Sequence, residues 1–125
     1  MSSPSFGSTP YSPDRLLAGD FPIVTREVTL NNVGGAALTR GAVLGKVTAD
    51  GKYGLSLSAA VDGSQVARAI LAKDADPTGG DVTATIYEAG EFNEDQLNFG
   101  TGHTAATVRE DLRAVSLFLK SPVSA

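Results

Sequence analysis

The chain has no cysteine and no tryptophan, one methionine and one histidine. Without cysteine there is no disulfide and no thiolate metal site. His103 is the one imidazole, so a histidine-rich metal centre is excluded as well. No apolar run approaches the ~20 residues of a membrane-spanning helix. Positive charge is short too: 10 Lys and Arg stand against 14 Asp and Glu, a net charge of −4 and a pI near 4.8. That balance argues against nucleic acid, whose phosphates call for a basic footprint. The N-terminus lacks a basic stretch followed by an apolar one. No secretory signal is therefore expected, and the protein is expected to be made in a cytoplasm and to stay there or in something assembled there.

What is present fits one small folded unit. The length of 125 residues allows one domain. Leu, Ile, Val and Phe make up about a quarter of the chain, above the ~20% of disordered chains. Much of the remaining apolar content is alanine, so the core is thin in large side chains. Thin cores are supplemented by disulfides, metals or association. With the first two excluded, association with other chains is the expected supplement.

The central stretch runs from Val66 to Leu119. In Val66–Ala72, Val66, Ile70 and Ala72 share one face and Ala67, Ala69 and Leu71 the other, as in a strand covered on both sides. In Val82–Glu88, Val82, Ala84 and Ile86 alternate with Thr83, Thr85 and Tyr87. Turn chemistry over Asp76–Asp81 joins the two as an antiparallel pair. Gly90 is expected to break the second strand, with Phe92 and Leu97 as anchors of the loop beyond it. Thr104–Val115 is the one clear helix, with Ala105, Val108, Leu112 and Val115 on one face. Thr104 can cap it, and Thr107 with Glu110 also has capping-box spacing. Ser116–Leu119 alternates again as a closing strand.

Upstream, Pro22–Leu30 reads as a strand with Val24, Val28 and Leu30 on one face. Asn31–Gly35 reads as a loop. Gly41–Thr48 and Lys52–Leu57 form a hairpin across Asp50-Gly51. A two-residue turn there sets Leu44 against Leu57 and Thr48 against Tyr53. Val61–Ser64 is a further turn. The fold class is mainly β with one C-terminal helix (α+β), a small β-sheet and hairpin domain over 14–125. Residues 1–13 form a flexible N-terminal arm. The arm holds Pro4, Pro10, Pro13 and no charged side chain, too little burial to offset its ordering entropy. Phe6 and Tyr11 are its candidate anchors for a partner, and its extended Ser/Thr/Pro backbone suits strand addition to a neighbour's sheet edge.

Four patterns suggest chemistry and fail on inspection. Gly41-x-x-x-Gly45-Lys46 is one residue short of a phosphate loop, with Val47 where a magnesium-binding hydroxyl belongs. Asp74, Asp76, Thr78 and Gly79 begin like a calcium loop, but Thr85 stands where a bidentate Glu is needed. His103 has no nucleophile elbow to serve, so it reads as a structural loop residue. Glu88, Glu91, Glu94 and Asp95 read as a solvated acidic loop. No catalytic residue, metal site or cofactor is assigned, and an enzyme is not expected.

The order and spacing of several segments resemble the phage head decoration protein family, the capsid cement proteins of the lambda protein D type. The segments are Tyr11–Pro22, Arg40–Lys46, Ala69–Asp74, Gly90–Asn93 and His103–Arg109 through Leu119. The chain is similar to the longer type in that family, with extra length over Leu16–Asn32. The resemblance implies a structural virion protein on the outer surface of the capsid. It implies a homotrimer at local three-fold positions of the expanded head, bracing the shell against packed DNA. It also implies an arm that orders on the major capsid protein, here through Ser5, Phe6, Thr9, Pro10, Tyr11 and Pro13. It assigns no residue to the trimer interface. A ligand-binding β module or another virion subunit is the alternative.

Overall fold

The computed structural model describes residues 16–17, 22–31 and 37–120. Its elements are β1 (Val24–Leu30), β2 (Val43–Lys46), β3 (Tyr53–Leu55), β4 (Ala67–Leu71), β5 (Val82–Asn93), α1 (Ala105–Arg113) and β6 (Leu117–Lys120). The expected fold class is present: mainly β with one helix near the C-terminal end. The proposed arm over 1–13 and the loop over 31–35 lie outside the described residues, apart from Asn31.

Five of the strands close on themselves in the order β1-β3-β2-β4-β5, and β5 returns to β1. The β1–β5 ladder is antiparallel from Leu30↔Val82 to Val24↔Ala89. β4 and β5 are antiparallel through Ile70↔Tyr87 and Leu71↔Ile86, as the turn chemistry between them requires. The barrel closes through one short parallel contact, where the Asn31 N–H donates to the Tyr53 carbonyl at 2.7 Å. β6 lies outside the barrel, parallel to the last residues of β5 from Gly90↔Leu117 to Asn93↔Lys120.

Strand period places two cores on either side of one wall. Leu30, Leu44, Ala69, Leu71, Ala84 and Ile86 fill the barrel. Val43, Ile70, Tyr87, Phe92, Val108 and Leu112 belong to a second core between the wall and α1. The two-faced reading of β4 is therefore right in kind. Two residues depart from it: Ala67 packs with Ile70 and Ala72, not with Ala69 and Leu71, and Val66, expected beside Ile70 and Ala72, is 40% exposed. Between Leu44↔Ala69 and Gly45↔Ala67 one step on β2 meets two on β4, so Arg68 is an extra residue of β4 and breaks its strict alternation.

Three further expectations are corrected. Gly90 does not end the strand. Its backbone takes φ +152° and carries β5 on to Asn93. A Cβ at Gly90 would lie 2.9 Å from the Phe92 ring, so glycine admits both this backbone conformation and the ring packed over it. The β2–β3 hairpin pairs Leu44 with Leu55 and Lys46 with Tyr53, two residues from the expected register. Val47 N–H donates to the Lys52 carbonyl at 2.8 Å and closes a four-residue loop. Gly51 alone in that loop has positive φ, at +74°, whereas a two-residue type I′ turn needs it at Asp50 too. Lastly, Val24 is 47% exposed although Leu30 on the same face is fully buried. Val24 is the first residue of β1 and lies where the β1–β5 register shifts, the extra residue being Glu88 of β5.

The glycines of the false phosphate loop have structural work. A Cβ at Gly45 would lie 2.0 Å from the Ser64 carbonyl oxygen. That oxygen accepts from the Ser56 hydroxyl at 2.7 Å inside the fold. Gly45 thus lets the 61–66 loop rest directly on β2.

Phe92 is fully buried beside Tyr87, ring centroids 5.1 Å apart. Phe92→Ala should lower the unfolding free energy by about 3–5 kcal/mol. Val61→Ala, at a position 95% exposed, should change it by less than about 0.5 kcal/mol. Urea unfolding followed by circular dichroism checks both. Equal effects would mean that the two-core packing is wrong.

Candidate functional site

Ser5, Phe6, Thr9, Pro10, Tyr11 and Pro13, the candidate arm residues, lie outside the described residues. The structure does fix the point from which they depart. Leu16 is buried in the core beneath α1, and its carbonyl accepts from the Asn93 N–H at 2.7 Å. Leu17 pairs antiparallel with Phe92 and keeps 39% exposure. Ile23 and Val24, each 47% exposed, lie along the same part of β5: Val24 pairs with Ala89, and Ile23 flanks Gly90. Of these apolar residues beside the arm root, the sequence reading singled out Val24 alone, on one strand face with Val28 and Leu30.

The acidic residues singled out for chemistry are not brought together. Glu88 accepts from the Arg26 guanidinium of β1 at 2.6 Å. Glu91 meets Lys120 of β6 at 3.4 Å, and Glu94 pairs with Arg109 of α1. Glu88, Glu91 and Glu94 each face a cation from a different element, so no two of these three are set up for acid/base work. The Glu88 contact also raises the Arg26 pKa. In the Asp74–Asp81 loop, Asp74 accepts from the Arg40 N–H at 2.8 Å. Asp76 caps a short 3₁₀ turn by accepting from the Thr78 N–H and hydroxyl. Asp81, just before β5, pairs with Lys52 of the β2–β3 loop, and that contact raises the Lys52 pKa. The calcium-loop pattern is a turn held by its own donors.

His103 is structural in its bonding. Nε2 lies 2.9 Å from the Gln65 carbonyl, and Nδ1 lies 2.9 Å from the Thr107 hydroxyl. A carbonyl only accepts, so Nε2 carries the proton. The ring ties the β4 approach to the start of α1. Thr104 is the N-cap, as expected, and its N–H donates to the Thr107 hydroxyl oxygen at 2.8 Å. The capping box is Thr104–Thr107, not Thr107–Glu110.

One open groove of about 420 Å³ lies between α1 and β6, lined by Glu91, Arg109, Arg113, Phe118, Leu119 and Lys120. Its cations are matched by the chain's own carboxylates, Arg113 with Glu110 at 3.9 Å and the others as above. A ligand site wants convergent polar groups left to meet the ligand, and this groove does not favour one.

A barrel strand that runs on to pair with β6, a helix packed against the barrel wall, and a buried Leu16 are thus in place. Residues 8–117 match the family model for bacteriophage lambda head decoration protein D. The chain belongs to the lambda head decoration protein D family. No curated protein sequence matches it significantly. The family is one of structural virion proteins. The matched span takes in Thr9, Pro10, Tyr11 and Pro13 of the candidate arm and leaves out Ser5 and Phe6.

Two carboxylates of this head decoration family member are held below the ordinary range. The Ser64 hydroxyl and then its N–H lower Asp62, and the Thr78 hydroxyl and then its N–H lower Asp76. A depressed folded pKa contributes stability above the unfolded value of about 3.9 and loses it as pH falls through the folded pKa. Asp62→Asn keeps an acceptor for Ser64 but cannot titrate. Its urea midpoint should therefore fall less than that of the native chain between about pH 5 and about pH 3. Parallel midpoints would show that the Ser64 contacts do not act on the Asp62 charge.

Proposed function

We propose that the protein binds the outer surface of the expanded phage head as a homotrimer at local three-fold positions. There it braces the shell against packed DNA, and its N-terminal arm orders on the major capsid protein. The family match over 8–117 carries this reading. The buried Leu16 anchor supports the role of the arm, because residues ordered on a partner then pull against a fixed point in the body. The protein is made in the host cytoplasm, and no nucleic acid, membrane or cofactor takes part.

The energetics explain why one arm is not enough. Ordering ~10 residues costs roughly 10–20 kcal/mol of backbone entropy. Strand addition and burial of Phe6 and Tyr11 must exceed that, so a single arm binds weakly. Three arms on one trimer raise the effective concentration and hence the avidity. Selectivity for the expanded head then needs no switch within the protein. Capsid edges presented at the right separation are sufficient.

Co-sedimentation with expanded heads and with unexpanded procapsids tests this. The full chain should pellet with expanded heads alone, and a chain starting at Asp14 should stay in the supernatant. Binding that survives truncation would move the contact to the folded body. Binding to neither shell would overturn the decoration reading for this chain.

A further inference from the structure

Most described charges are met within the chain. The exceptions are Lys46, Arg68 and Lys73 among the cations and Glu27, Asp95 and Asp111 among the anions. Two of these cations lie together. Lys46 at the end of β2 and Arg68 on β4 line one open concavity of about 380 Å³ with Thr48, Gly63 and Val66. Val66 is 40% exposed. Val61 is 95% exposed, in the loop whose Asp62 carbonyl accepts from the Thr48 N–H at 2.9 Å. Two uncompensated cations beside two exposed valines, on a chain of net charge −4, favour a partner surface with a carboxylate and an apolar side chain.

The chain carries such a surface itself. Period two puts Ile23, Thr25, Glu27 and Thr29 in one line along β1 and the residue before it. All four are exposed, and Thr83 and Thr85 lie across from Thr29 and Glu27 on β5. Glu27 is the one uncompensated carboxylate within a described strand. We propose that the Lys46–Arg68 concavity of one copy receives Glu27 and Ile23 of a second copy, head to tail. Two different patches in contact form a heterologous interface, which closes into a trimer when each copy is turned by a third of a circle from the last. The proposal rests on the trimer reading above and gives it a contact.

Carbodiimide joins a carboxylate to an amine only when they touch, so it can link Glu27 to Lys46 between copies. Heads decorated with a mixture of isotopically heavy and light full-length chains should give trimer bands. Those bands should contain a mixed-isotope Glu27–Lys46 peptide. Lys46→Glu with Arg68→Glu should reduce the trimer band by about tenfold or more. Adding Glu27→Lys to that pair should restore it, which also shows that the variants fold. Strong trimer bands without the mixed peptide and unchanged in the paired variant would overturn the contact while leaving the trimer intact. Variants that lose head binding yet still form trimers free of the head would assign the concavity to the shell and also overturn it. Head binding without trimer bands for the native chain would remove the trimer reading itself.

Discussion

The elements outside the barrel depend on β5 passing through Gly90. With φ +152° at Gly90, β5 runs on beyond its pairing with β1 and offers four residues to β6. The Phe92 ring lies over the glycine, where a Cβ would lie 2.9 Å from it. Phe92 then joins Tyr87, Leu16 and Leu112 in one core. The arm root, the helix and the closing strand are thus fixed by one residue that lacks a side chain. Any other residue there meets both a backbone conformation that L side chains avoid and the ring.

The small supply of large apolar side chains is divided between two cores, and the division works because β2, β4 and β5 face both ways. Each buried strand residue serves one core, and its neighbour serves the other. Small residues keep the wall thin: Ala67, Ala69, Ala72 and Ala84 are buried in it, and Gly45 lets a loop lie against its edge. What remains is apolar surface at two places, Leu17 with Ile23 and Val24 beside the arm root and Val61 with Val66 beside the basic concavity. A chain with this little core gains from covering such surface with other chains.

Period and turn chemistry made much of this legible. β4, β5, α1 and β6 were each readable from spacing, because burial on a wall or a helix face repeats every two or 3.6 residues. Within the phosphate-loop and calcium-loop patterns, Gly45 and Asp76 do local structural work. The failures share a cause. Gly90, the bulge by Gly45 and the register shift at Val24 are places where pairing changes partner or phase, and composition does not encode phase. The Asp50-Gly51 pair marked the right hairpin but not its loop length, because Gly51 alone takes the positive φ. The partners of Glu88, Glu91 and Glu94 come from β1, β6 and α1, and linear spacing could not supply them. The candidate arm residues were chosen from composition and family resemblance alone, since an uncharged stretch rich in Ser and Pro offers no apolar period to read.

The distribution of charge separates holding the fold from holding a partner. The ion pairs within the chain are solvent-exposed to different degrees, from Arg113–Glu110 on the helix surface to Arg109–Glu94, where the carboxylate is largely covered. Exposed pairs contribute little, with a median of about 0–1 kcal/mol, and salt screens them. The body therefore rests on its two cores, and added salt should leave that support nearly intact. Charges without internal partners are different, because Lys46, Arg68 and Glu27 contribute only when another surface approaches. Steering by such groups acts on encounter, and its loss shows first in the rate and salt dependence of association. A protein that must stay folded while free and hold its position while assembled is well served by that separation. Apolar burial keeps the body together, and uncompensated charge is left free to meet another surface.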